Sequence, residues 1–168
     1  MADTDEGDPL ALDNQLCFAL YTASRALTGF YREILTDLGL TYPQYLVMLV
    51  LWERGTLPVK ELGLSLSLDT GTLSPLLRRM EGAGLVTRTR GPEDERIVHV
   101  GVTEEGERLR ERAEEIPHRV LCATDLPPEG VKDLRVLLDR LTRSVTGTER
   151  EPNHTDPGPG TRPGPKGG

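Results

Sequence analysis

Apolar residues recur at helical spacing over most of this chain and change to strand-like alternation in one region only. Leu12, Leu16, Leu20, Ala23, Leu27, Phe30, Ile34 and Leu38 form one stripe. That spacing predicts a long first helix, with Asp13 as its N-cap and Gly39 as its stop. Thr41-Tyr42-Pro43 opens a second helix that runs to Arg54 and is closed by Gly55. Its run 45–52 is apolar on almost every face, which predicts burial. Residues 58–63 read as a short helix with Pro58 in its first turn. After a turn, Asp69 or Thr70 starts a further helix carrying Leu73, Leu76, Leu77 and Met80, ended by Gly82 and Gly84. Pro75 falls inside it and removes one ladder bond, so this helix either starts later or has distorted first turns.

Residues 85–90 and 97–102 then alternate as two strands around the turn-rich Gly91-Pro92-Glu93-Asp94-Glu95-Arg96, which predicts a hairpin. Thr103, followed by Glu104 and Glu105, is an N-cap with an acidic first turn. The helix it starts has the stripe Leu109, Ala113, Ile116 and Val120, with Pro117 as a kink. A last helix from Pro128 to Val145 repeats Val131, Leu134, Leu138, Leu141 and Val145, near-heptad steps that suit packing against a partner helix. The fold class is mainly α with a small β-hairpin wing. The ends carry no apolar pattern. Residues 1–9 read as a disordered acidic arm and residues 148–168 as a disordered Gly/Pro-rich tail, to which no role is assigned.

A short helix, a turn, a second helix and a hairpin make the order of a winged helix-turn-helix, in which the second helix enters the DNA major groove. With Leu73 at 0°, its apolar neighbours fall within about 60° of it. Gly71, Thr72, Pro75, Arg78 and Arg79 take the opposite half, with Ser74 at the edge. Small hydroxyls near the amino end (Thr70, Thr72, Ser74) and arginines further along suit base edges and phosphates. On the hairpin, Arg88 and Arg90 share one strand face and Arg96 leaves the turn. Arg96 has two readings: it enters a minor groove, or it pairs with Asp94 and holds the hairpin's shape. The bland alternative for the whole set is a solvated charged face.

Net charge bears on this in one respect. The chain of 168 residues carries −7, which taken whole opposes DNA binding. Residues 1–13 hold Asp3, Asp5, Glu6, Asp8 and Asp13 and no base, so they account for −5 of it. From Lys60 to Arg96 six bases balance six acids, so a local basic face must serve any phosphates. No run approaches the roughly eighteen apolar residues of a membrane span, and Met1-Ala2-Asp3-Thr4-Asp5-Glu6 is unlike a secretory signal. The expectation is a cytoplasmic protein with no membrane partner.

Two cysteines, Cys17 and Cys122, lie 105 positions apart and match no metal-ligand spacing. No metal or other cofactor is expected. Cys17 falls in the first turn of the first helix, where the helix dipole favours an anion and therefore a reactive thiol. The competing reading is a small inert hydrophobe. With Leu16 at 0°, Cys17 lies at about 100°, Tyr21 at about 140° and Tyr31 at about 60°, all on one flank. Cys17 and Tyr31 are about 21 Å apart along a helix axis, so only an antiparallel copy of the helix, across a two-fold axis, brings them together. Cys122 lies on the face away from Leu109 and Val120 unless Pro117 resets the phase.

The run Asp69-Thr70-Gly71-Thr72-Leu73-Ser74-Pro75-Leu76-Leu77-Arg78-Arg79-Met80, then Gly84-Leu85-Val86-Thr87-Arg88, Asp94-Glu95-Arg96 and Val102-Thr103-Glu104-Glu105-Gly106, resembles the MarR family of bacterial transcription regulators. The resemblance covers roughly residues 10–147. It implies a homodimer with intertwined dimerisation helices at 10–40 and 103–147, winged units at 41–102, and a pseudo-palindromic operator as DNA partner. It also implies that proline is tolerated within the recognition helix. The segment from Leu12 to Tyr21 is similar to the organic hydroperoxide sensors of this family, the OhrR type. That likeness implies a sensing role for Cys17, hydrogen-bonding roles for Tyr21, Tyr31 and Tyr42, and a second-cysteine role for Cys122.

Three functions are compatible with these residues. One is a repressor released from its operator when an organic hydroperoxide oxidises Cys17, with closure to Cys122 of the other subunit or to a small thiol. Another is a regulator released by a phenolic or aromatic ligand, with Cys17 incidental. The third is a thiol peroxidase. It is disfavoured because no peroxidase-like active-site loop is present, and the expectation is that this is not an enzyme.

Overall fold

The structure, a computed structural model, describes residues 8–91 and 93–147. The Gly/Pro-rich tail expected at 148–168 lies outside these residues, as does the acidic arm except for Asp8 and Pro9. The described chain contains α1 (Leu16–Ile34), α2 (Tyr42–Arg54), β1 (Leu57–Pro58), α3 (Val59–Leu66), α4 (Thr70–Gly82), β2 (Val86–Arg90), β3 (Val98–Val102), α5 (Glu104–Ala113), α6 (Ile116–Ala123) and α7 (Pro128–Thr146). It divides into two compact units, the first ending at Ala123 and the second starting at Thr124. No helix among the described residues is long and apolar enough to cross a membrane.

The first helix starts later and ends earlier than its apolar stripe predicts. Asp13 lies in a single 3-10 turn, and Gln15 takes the N-cap position. The Gln15 amide reaches backwards, donating to the Pro9 carbonyl at 2.7 Å and the Ala11 carbonyl at 3.1 Å. At the other end the Thr36 hydroxyl takes the Arg32 carbonyl at 2.8 Å, and the chain tightens into a 3-10 turn. Gly39, with φ of 65°, then makes the left-handed stop. Helix α2 begins where the Gln44 side-chain oxygen accepts from the Thr41 amide at 2.8 Å. Four of its residues, Tyr45, Val47, Met48 and Leu51, are buried, as its unbroken apolar run predicts.

The core of the first unit is one cluster. It gathers Ile34 and Leu35 at the end of α1, the buried face of α2, Leu62 of α3, the four apolar positions of α4, Val86 and Val100 of the sheet, and Leu109, Ala113 and Ile116. The sheet has three antiparallel strands in the order β1-β3-β2, with Leu57 opposite Val100 and Arg88 opposite Val100 on the other side. Strand β1 has only two residues, too few for an alternation to be seen in sequence. It takes Pro58 from the expected short helix, which therefore runs as α3 from Val59. The helix expected from Thr103 through a kink at Pro117 is two helices: α5 stops at Ala113 and α6 starts at Ile116. Pro117 is the second residue of α6, where its missing N–H costs nothing, but it could not have continued α5.

The Gly106 backbone lies so close to the hairpin that a Cβ there would collide with the Leu85 carbonyl. The Gly106 carbonyl in turn accepts from the Trp52 indole at 3.1 Å. Thr103 completes this junction: its hydroxyl donates to the Gly84 carbonyl at 2.6 Å and accepts from the Gly106 amide at 3.0 Å. Within the second unit, α7 buries none of its residues, and Leu134, Leu137, Leu138 and Val145 are all exposed.

Candidate functional site

Helix α4 starts at Thr70 because Asp69 caps it. One carboxylate oxygen accepts from the Thr72 amide at 2.9 Å and the other from the Thr72 hydroxyl at 2.8 Å. The Thr72 hydroxyl, followed by its amide, holds the Asp69 carboxyl below its ordinary pKa. Proline at position 75 leaves the helix continuous. The first ladder bond runs from the Leu73 amide to the Asp69 carbonyl at 3.0 Å. Pro75 therefore omits only the bond to Gly71, in the second turn. Leu73, Leu76, Leu77 and Met80 are buried, while Thr70, Gly71, Thr72, Pro75, Arg78 and Arg79 are exposed and Ser74 is half-buried. The exposed face is the one that the helical phase assigns to DNA.

The wing is fixed to α4 by a charge pair. The Arg88 guanidinium meets Glu81 at 2.6 Å through Nη2 and 2.9 Å through Nε, and the Arg88 amide donates to the other carboxylate oxygen at 3.2 Å. These bonds, the guanidinium first, hold the Glu81 carboxyl below its ordinary pKa. Arg90 is exposed at the end of β2, opposite Val98. In the turn, the Asp94 carboxylate accepts from the Arg96 amide at 2.9 Å, and its carbonyl accepts from the Ile97 amide at 3.0 Å. Asp94 thus shapes the hairpin through backbone groups. The Arg96 guanidinium forms no ion pair among the described residues. Thr70, Ser74, Arg88 and Arg96 line one open cavity of about 520 Å³ between α4 and the wing, joined by Lys60 of α3.

Cys17 occupies the second position of α1 and is exposed. Tyr21, one turn on, is 56% exposed, and its hydroxyl accepts from Arg25 at 3.0 Å while the Arg25 guanidinium lies 5.6 Å from its ring centre. Tyr31 and Tyr42 are elsewhere in the chain. Their ring centres are 4.4 Å apart, and Tyr45 joins them at 6.0 Å from Tyr31. Burial raises all three phenols above their ordinary pKa, with the neighbouring phenol adding to the effect at Tyr31. Tyr45 is pushed to about 12 by burial and then by Tyr31 and Tyr42. These hydroxyls keep their protons and remain donors. Helix α1 is continuous from Cys17 to Tyr31, so about 21 Å of axis separates them within one chain. The fold joins Tyr31 to Tyr42 and Tyr21 to Arg25, while Cys17 lies one helical turn before Tyr21 and far from Tyr31.

Cys122 is also exposed, in the last turn of α6, with its Sγ 3.9 Å from Nδ1 and 3.8 Å from Nε2 of His118. Several of these contacts escape a reading by motif. Lys60 in the groove and Glu81 under Arg88 depend on tertiary placement. Arg25 beside Tyr21 and His118 beside Cys122 carry a signal that could have been used, since each pair stands at i, i+4 on a helix.

Exposed small and basic residues on α4, a hairpin clamped to that helix, and a buried apolar underside define a winged helix-turn-helix protein. The chain belongs to the MarR family, whose model matches residues 40–98. It is 47% identical over 138 residues to the organic hydroperoxide resistance transcriptional regulator of Bacillus subtilis (strain 168), covering 82% of this chain and 94% of that one. It is also 47% identical over 141 residues to the HTH-type transcriptional regulator TtmR of Methylorubrum extorquens (strain PA1), covering 84% and 71%. Among solved structures, reduced AbfR bound to DNA matches with a TM-score of 0.66 at 33% identity, covering 81% of this chain and 93% of that one.

Proposed function

We propose that this protein is a DNA-binding repressor whose hold on its operator ends when an organic hydroperoxide oxidises Cys17. The observation that carries this reading is the exposed Cys17 thiol at the amino end of α1, in a chain nearly half identical to an organic hydroperoxide regulator over most of its length. The amino end of a helix is the end at which the helix dipole favours negative charge. Peroxide converts such a thiolate to sulfenic acid, and a second thiol can condense with it.

The DNA side rests on the recognition face of α4 together with Arg90 and Arg96 of the wing. Homodimerisation is supported by apolar surface that α1 and α7 each leave exposed: Leu16, Tyr21 and Leu27 on α1, and Leu134, Leu137 and Leu138 on α7. Two antiparallel copies of α1 bring Tyr31 and Tyr42 of one subunit to Cys17 of the other. Each site is then built from both chains. Oxidation shifts the helices that carry the wings, and the two recognition helices lose register with successive major grooves.

The competing reading, release by a phenolic ligand with Cys17 incidental, has its own support. A cavity of about 310 Å³ is lined by Tyr45, Trp52 and Pro117 together with Arg110, Glu53 and Glu114, and its aromatic walls suit an aromatic or phenolic ligand. The two readings separate in one experiment. A DNA fragment selected by the reduced protein from a random pool is challenged with cumene hydroperoxide or with salicylate, using wild type and Cys17→Ser. Release by peroxide that disappears in Cys17→Ser supports the redox reading. Release by salicylate in both proteins, without oxidant, supports the ligand reading.

A further inference from the structure

The two cysteines stand at opposite poles of their helices. Cys17 is the second residue of α1, while Cys122 is the next-to-last residue of α6. The carbonyl end of a helix disfavours an anion, so the dipole that helps Cys17 gives Cys122 no help. What Cys122 has instead is His118, one turn earlier, whose two ring nitrogens lie at 3.9 and 3.8 Å from Sγ, within hydrogen-bonding reach for sulfur. Both side chains are exposed. No grouping of three or more metal-type ligands occurs among the described residues, so the pair does not belong to a metal cluster.

We propose that His118 is the base that makes Cys122 a nucleophile. The neutral imidazole accepts the Cys122 proton, and the resulting imidazolium stays beside the thiolate. The inference rests on the redox reading for its biological use. An organic hydroperoxide first gives one oxygen to the Cys17 thiolate, taking two electrons and leaving as the alcohol. The Cys122 thiolate then attacks the Cys17 sulfur of the sulfenic acid. An S–S bond forms, the S–O bond breaks, and hydroxide leaves. The proton that His118 took from Cys122 ends on that hydroxide as water. Without a base at this position the condensation slows, and the sulfenic acid survives to react with a small thiol or with more peroxide.

The test isolates Cys122 from the sensing chemistry. In the full-length Cys17→Ser protein, alkylation of Cys122 by iodoacetamide at neutral pH is timed by mass spectrometry with His118 present and in His118→Gln. We expect His118→Gln to slow alkylation by about tenfold, with the two proteins equal in denaturant. Equal native rates overturn the proposal. In the protein with both cysteines, His118→Gln should slow disulfide formation after a single dose of cumene hydroperoxide, and an unchanged rate there also overturns it. Because the alkylation arm uses neither peroxide nor DNA, its failure leaves the role of Cys17 untouched. Failure of Cys17 as the sensor likewise leaves the alkylation result standing.

Discussion

Arg88 on the wing and Glu81 on the recognition helix are joined at 2.6 Å, and the Arg88 amide adds a third bond to the same carboxylate. Part of the charge that sequence reading assigns to DNA is therefore used inside the protein. Arg88 holds the hairpin to the helix, which leaves Arg90 and Arg96 as the wing arginines with no ion pair among the described residues.

This pair predicts an acid-dependent weakness. The Glu81 carboxyl titrates lower in the folded chain than its ordinary value of 4.5. A depressed carboxylate adds stability above its unfolded pKa and loses it as pH falls through the folded one. Wild type should exceed Glu81→Gln in thermal midpoint at neutral pH, with the gap closing below the ordinary glutamate value. Thermal unfolding of both proteins across that range checks this. A gap that persists in strong acid would count against the pair.

Arg96 predicts the opposite behaviour from Arg88. Its guanidinium has no ion-pair partner among the described residues, while its amide is held by Asp94. Arg96→Ala should leave the thermal midpoint unchanged and lower operator affinity, with the slope of log affinity against log salt falling by about one. Fluorescence anisotropy at several salt concentrations reads both quantities. Arg88→Ala, by contrast, should lower stability and DNA affinity together.

Gly106 predicts a packing defect. An added Cβ would meet the Leu85 carbonyl, the Val102 side chain at 2.7 Å and the Met48 methyl at 3.0 Å. A backbone carbonyl cannot step aside as a flexible side-chain end can. Gly106→Ala should cost about 1–3 kcal/mol, the usual range for overpacking, measured by urea unfolding. A neutral result would mean that α5 and the hairpin are not in this contact.

The aromatic cluster predicts an alkaline transition. Tyr45 is 2% exposed and its phenol is pushed to about 12. A raised pKa contributes stability below the unfolded value of 10.0 and loses it as pH rises through the folded value. Ultraviolet difference absorbance should show tyrosines ionising late, the last of which vanishes in Tyr45→Phe, and that variant should unfold less steeply in alkali.

The recognition helix was legible because burial follows phase: Leu73, Leu76, Leu77 and Met80 are inside, and the arginines one step round are outside. The place of Cys17 in the first turn of the first helix was legible, but the cap was not: Asp13 lies in a 3-10 turn and Gln15 is the N-cap of α1. Strand β1 was not legible, because two residues make no pattern and its pairing to β3 is tertiary. The break between α5 and α6 was read as a kink because apolar spacing continues through Ile116 while the backbone does not. Glu81 could not be matched to Arg88 from sequence, because their contact depends on how the hairpin folds back on the helix.

The most direct measurement follows DNA release and Cys17 oxidation in the same samples. Reduced protein on its selected DNA receives cumene hydroperoxide in steps below one equivalent per subunit. Anisotropy gives the fraction of DNA released, and mass spectrometry after alkylation gives the fraction of Cys17 oxidised. The account predicts that release rises with Cys17 oxidation, and that Cys17→Ser protein stays bound at every step. Release while Cys17 remains fully alkylatable would contradict it, as would full oxidation of Cys17 with the DNA still held.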